Sequence, residues 1–153
     1  MKRWILYGAA LALLGISPFR GMDIGKLSPV ETVWLAHQNG QVLIQTDAGD
    51  IGRGATVQEA LANLQDSAAG IVFLETADYL IVQTGAQMLL SQEGDVFRPS
   101  CMVCLAERMP DLEQATEFLR THEPGTTFRQ WKAERSSLPL LQEKDGRFAW
   151  HDG

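Results

Sequence analysis

The sequence predicts an α+β chain: one mixed-sheet domain with an opening β-hairpin and three to four helices, after an N-terminal apolar export or anchor helix. Three observations carry this. An alternating segment is broken by Asn39-Gly40, a pair that supplies the positive φ of a type I′ hairpin turn. A helical pattern begins at Thr56, with Glu59 three residues on as a capping box. Short apolar runs then alternate with two further helical patterns, without internal repeats or a linker long enough to separate two domains.

The N-terminal segment comes first in chain order. Lys2 and Arg3 form a basic head, and residues 4–16 carry no charge before Pro18 and Arg20. A basic head before an apolar run is the pattern of an export signal. The head should stay in the cytoplasm and the rest should cross the membrane. The run is short against the ~17–25 residues of a spanning helix. Small residues do not form an A-x-A cleavage pattern before Phe19, and no cysteine follows the run for lipid attachment. A cleaved signal and an uncleaved anchor both fit, and a buried core helix of a cytoplasmic protein is the third reading. The expected division is residues 1–22 as signal or anchor and 23–153 as one extracytoplasmic domain.

Ser28-Pro29 opens a strand over residues 30–37, where Val33 and Leu35 alternate with Trp34 and Ala36. Residues 41–46 return as its partner. Residues 47–55, with Gly49, Gly52 and Gly54, are expected to form a tight loop needing positive φ. The helix from Thr56 places Val57, Ala60, Leu61, Leu64 and Ala68 on one face, and Gly70 stops it. Residues 71–74 and 79–82 are strands by length and β-branching, and residues 86–90 a short helix. Residues 98–106 are a buried strand. Pro110-Asp111 starts a helix with Leu112, Ala115, Phe118, Leu119 and His122 inward, ended by Pro124-Gly125. A second short helix over 126–135 turns Phe128 and Trp131 inward. A turn at residues 144–146 joins the arms of a terminal hairpin.

Composition narrows the function classes. The 153 residues carry a net charge of −6, and 45% are hydrophobic, which suits a folded chain with a real core. Three of the thirteen Lys and Arg fall within the first 22 residues, but none of the nineteen Asp and Glu. The remainder is therefore more acidic still. Arg108, Arg120, Arg129, Lys132 and Arg135 are scattered in sequence, with no basic patch, so nucleic acid is not an expected partner. The membrane is expected to be met through the N-terminal segment alone.

No catalytic motif stands out. Residues 47–56 resemble a phosphate cradle in having glycines before a helix, but lack the Gly-Lys-Ser/Thr of a P-loop and the G-x-G-x-x-G order. Asp47 and Asp50 would also repel phosphate. Glu75 and Asp78 place two carboxylates between two strands. Asp47, Asp50, Arg53, Glu75 and Asp78 are thus the candidate binding positions, on loops, where function concentrates. His37, His122 and His151 lie far apart. Cys101 and Cys104 form a C-x-x-C pair, two ligands short of a structural zinc site. On a strand, positions i and i+3 face opposite ways, ~10 Å apart and too far for a disulfide. They are expected to be small core side chains. No cofactor or metal is expected. Trp34, Trp131 and Trp150, with Phe128 and Phe148, are either core or an interaction surface.

The order of elements mid-chain is similar to a known family. Gly52-Arg53-Gly54-Ala55-Thr56 leads into a helix carrying Glu59-Ala60-Leu61. The apolar run at 79–82 follows, then the Arg98-started apolar run ending at Ala106. Over about residues 42–106 this resembles the N-terminal part of the Ger(x)C family, the C subunits of spore-germination nutrient receptors. Members of that family are longer lipoproteins, and this chain has no lipobox cysteine. The resemblance implies a reduced, membrane-associated relative: an extracytoplasmic binding or assembly module, non-enzymatic, partnered with a membrane or envelope protein of a spore-forming bacterium.

Three functions follow as expectations. The first is that module, acting by protein–protein contact. The second is a small exported ligand-binding protein or hydrolase, its site lined by Asp47, Asp50, Glu75 and Asp78 in one deep pocket. The third is a structural protein of an assembly such as the spore envelope.

Overall fold

The computed structural model describes residues 27–92 and 96–151. The expected export or anchor segment lies outside the described residues. Among the described residues no helix is long and apolar enough to cross a membrane.

The elements in chain order are β1 (Leu27–Pro29), β2 (Thr32–Gln38), β3 (Gln41–Thr46), β4 (Ile51–Gly54), α1 (Val57–Ser67), β5 (Ile71–Phe73), β6 (Tyr79–Gln83), β7 (Met102–Ala106), α2 (Leu112–Thr121), α3 (Phe128–Glu134), β8 (Leu140–Lys144) and β9 (Arg147–Trp150). Short 3-10 turns cover Leu74–Thr76 and Gln87–Ser91. Seven strands form one mixed sheet in the order β4-β3-β2-β6-β7-β8-β9, and β1 pairs with β5 in a separate parallel ribbon. The centre, β2-β6-β7-β8, is parallel, and antiparallel hairpins flank it on both sides. The architecture is the expected single mixed sheet with an opening hairpin.

Both faces of the sheet are covered, which explains why Val33 to Ala36 of β2 are apolar without alternation. Val33 and Leu35 enter one core with Val57, Ala60 and Leu64 of α1 and Phe128 and Trp131 of α3. Trp34 and Ala36 enter the other, under Leu112, Ala115 and Leu119 of α2. The C-x-x-C pair divides in the same way. Cys101 belongs to the first core and Cys104 to the second, and no disulfide joins them. Burial pushes the Cys104 thiol far above its usual range.

Local chemistry fixes the turns. Asn39 and Gly40 have φ of 52° and 76°, and Asp145 and Gly146 repeat this at 53° and 71°, so both hairpins close with type I′ geometry. Thr56 accepts the Glu59 N–H at 3.2 Å, whereas the Glu59 carboxylate reaches past the cap to the Ala55 N–H at 2.8 Å. At α3 the reciprocal box is complete between Thr127 and Gln130.

Several local expectations are corrected. The glycine-rich loop contains β4. Only Gly49 takes positive φ, at 94°. Gly52 and Gly54 are there for close packing: a Cβ on Gly52 would lie 2.2 Å from the Ala60 carbonyl oxygen and 2.6 Å from Leu64 Cβ. The last core strand starts at Met102, because residues before it turn at Pro99-Ser100. Leu61 is only partly buried, and His122 is exposed at the end of α2, stacked on Phe118 with ring centroids 4.5 Å apart.

Candidate functional site

The candidate positions from sequence fall at both ends of the sheet. Asp47, at the end of β3, uses its carboxylate to accept the Glu31 N–H at 3.2 and 3.3 Å, and its own N–H donates to the Thr32 carbonyl at 3.0 Å. Burial raises its pKa, against the hydrogen bonds that favour the charged form. Asp50 closes the turn before β4, its N–H on Thr46 Oγ1 at 3.2 Å and its carbonyl accepting the Thr46 N–H at 2.9 Å. Asp78 donates its N–H to the Glu31 carbonyl at 2.9 Å and ion-pairs with Arg98. Glu75 is exposed on its 3-10 turn. Asp47 and Asp78 therefore share one end of the sheet, where β2 and β6 begin. Arg53 is at the far end, beside the β2–β3 hairpin, lining a hollow of about 40 Å³ with Gln38 and Asn39.

The hub of the acidic end is a residue that sequence reasoning passed over. Glu31 takes a two-pronged pair from Arg120: Nε donates to Oε1 at 2.7 Å and Nη2 to Oε2 at 2.5 Å. The guanidinium holds the Glu31 carboxyl below its usual range. Nearby, the Thr116 hydroxyl of α2 donates to the Leu112 carbonyl and pairs with the Thr32 hydroxyl, both at 2.6 Å, inside the fold. These groups tie α2 to the start of β2. Their contacts are structural, and among the described residues no group of three His, Cys, Asp or Glu could hold a metal ion.

Two other regions offer concave surface. A cleft of about 290 Å³ opens beyond the carboxyl ends of β7 and β8, between Glu107, Arg108, Gln142, Lys144 and Phe148. Strand carboxyl ends are where open α/β sheets commonly place ligands. Its charges are of both signs.

The second region flanks α3. On one side a groove of about 520 Å³ is walled by Phe97, Phe128, Arg98, Arg129 and Lys132. On the other a groove of about 640 Å³ lies between Met88, Ser91, Trp131 and Arg135. Phe128 and Trp131 point into the core, and the cations cover their outer edges. Lys132 Nζ sits 5.1 Å from the Phe128 centroid, and the Arg135 guanidinium 4.5 Å from that of Trp131, cation–π distances in both cases. Arg135 also donates to Ser91 Oγ at 2.6 Å. Among the described residues lining these two grooves there are four cations and no carboxylate. Of the basic residues expected to be scattered, Arg108 and Arg120 do lie elsewhere, but Arg129 and Lys132 on α3 and Arg135 at its C-cap gather, and the fold brings Arg98 alongside.

The remaining aromatic candidates divide. Trp34 is wholly buried, its Nε1 without a partner among the described residues. Phe148 and Trp150 are half-buried against Phe118, with centroids 6.0 and 5.8 Å from its ring. The chain matches no family model, no curated protein and no solved structure.

Proposed function

We propose that this chain is a non-enzymatic, membrane-associated extracytoplasmic binding or assembly module. Its partner is a membrane or envelope protein, and the spore-germination apparatus is the setting suggested by the Ger(x)C resemblance. The N-terminal apolar segment tethers it. The observation that carries the reading is the cationic, aromatic-edged face of α3 on an otherwise acidic chain. Interfaces are enriched in aromatic residues, Met and Arg. The test is to fractionate cells producing a C-terminally tagged chain, determine the N-terminus of the product, and cross-link it in place. An intact Met1 in the membrane fraction with a reproducible cross-linked protein is the expected result. A soluble, truncated product that captures nothing would sink it.

A second reading, a small exported ligand-binding protein or hydrolase, draws support from the cleft beyond β7 and β8, where Glu107 and Glu143 stand among the lining residues. It moves the carboxylate-lined site away from Asp47, Asp50, Glu75 and Asp78. A thermal-shift survey of small cationic and zwitterionic ligands tests it. A ligand-induced shift abolished by Glu107→Gln is the outcome it requires.

A further inference from the structure

We infer that the α3 face is the docking surface, and that its occupant is an acidic segment of the partner protein carrying one aromatic or aliphatic side chain. This rests on the reading of the domain as a binding module. The apolar side chain lies in the groove over Phe97 and Phe128, whose rings meet edge to face with centroids 6.4 Å apart and form its floor. Carboxylates on either side of it pair with Arg129 and Lys132.

Charge complementarity argues for an anionic occupant. The chain carries nineteen acidic against thirteen basic side chains, yet the walls of both grooves hold Arg98, Arg129, Lys132 and Arg135 with no described carboxylate facing in. Arg98 is already engaged by Asp78, and Arg135 by Ser91 and the Trp131 ring. Arg129 and Lys132 are exposed and have no carboxylate partner among the described residues, Lys132 resting only on the Phe128 ring, so both can take a carboxylate from outside.

Shape argues for a protein segment over a bilayer. Phe97, Phe128 and Trp131 are 3, 3 and 5% exposed, so they form groove floors and do not project. A flat lipid surface needs protruding apolar groups to bury. Among the described residues, Met88, at 71% exposure, is the large apolar side chain that stands out near these grooves. A peptide can lower a side chain into a groove and lay its backbone across the helix. Association through such rim charges should be sensitive to salt.

The test uses the full chain in a non-ionic detergent. The probe is a short fluorescent peptide of Asp and Glu residues with one central Trp, followed by anisotropy. Arg129→Glu with Lys132→Glu is the reversal variant, and the milder Arg129→Gln with Lys132→Gln guards against misfolding. Lys144→Glu with Arg147→Glu is a charge-matched control on the terminal hairpin, away from α3. The expected result is saturable binding, weakened at least about tenfold by the reversal pair, less by the neutral pair, and little by the control. Replacing the peptide's Trp by Ser should also weaken it. Equal loss in the control would overturn the proposal as general electrostatics. Binding to vesicles of anionic lipid but not to the peptide would overturn it in favour of a membrane surface. No binding to either would overturn it outright. In cells, a reversal variant that still captures the partner as wild type does would reject this surface while leaving the module intact.

Discussion

Gly52 is a position where the fold leaves no room for even a methyl group. Its missing Cβ leaves room for the Ala60 carbonyl and Leu64, and the obstacles are backbone and helix-core atoms that cannot swing aside. Gly52→Ala should therefore destabilise by ~1–3 kcal/mol or more, as overpacking does. Gly49→Ala meets open space and should cost ~1 kcal/mol, for its positive φ alone. Urea denaturation of the two variants separates the mechanisms, and equal losses would refute the packing role of Gly52. Leu64→Ala should cost ~2–5 kcal/mol, because Leu64 is wholly buried, with a smaller loss for the partly buried Leu61→Ala. Thr56→Ala should cost ~0.5–2 kcal/mol through the lost cap. The Thr56 cap and the two hairpin turns are legible in sequence because each is decided within four residues, whereas the Thr127–Gln130 box is not among the sequence expectations. The role of Gly52 was not: glycine looks alike whether it serves backbone torsion or a neighbour's approach. Glu31 was missed because its partner Arg120 lies 89 residues away.

At the scale of elements, the β4 edge of the sheet is covered. The outer side of β4 is occupied by α1: Asn63 Oδ1 accepts the Arg53 N–H at 2.9 Å, and Ser67 Oγ donates to the Ile51 carbonyl at 3.1 Å. Side chains thus cover backbone groups that would otherwise invite a second strand. Asn63→Ala with Ser67→Ala should uncover them beside the 41% exposed Ile51 and produce concentration-dependent association, seen by sedimentation. The tie between α2 and β2 is testable by pH. Glu31 titrates below its ordinary 4.5 in the folded protein, so the pair's contribution is present above that pH and is lost as pH falls through the lowered value. Wild type should therefore lose its advantage over Arg120→Met as melts are taken from neutral pH to below about 4.5. Asp47 runs the other way: its raised value favours the folded state at low pH and that benefit fades as pH rises. Asp47→Asn should remove this opposing trend. Element type was legible for the longer segments, whereas β4 was hidden by its glycines and the start of β7 by the turn at Pro99.

For the molecule as a whole, the arrangement of charge matters more than its sum. The acidic net charge and the scattered basic residues give no expectation of nucleic acid as a partner, and within this acidic chain the α3 grooves form a locally cationic face. Arg98 and Arg129 reach the same groove from segments 31 residues apart, a juxtaposition no spacing rule reveals. The candidate acids, by contrast, were read correctly as loop residues, while the use to which Asp47 and Asp78 are put, holding the Glu31 backbone, depends on strand pairing.

The two cysteines gain a practical meaning from the sheet between them. Cys101 lies in the layer closed by α1 and α3, and Cys104 in the layer closed by α2. Each thiol is a native reporter for one side of the protein. Alkylation rates in mild denaturant, followed by peptide mass, would tell whether the layers open together or in turn. Earlier modification of Cys104 would mean that α2 lifts away first, leaving the α3 face in place while the opposite side breathes.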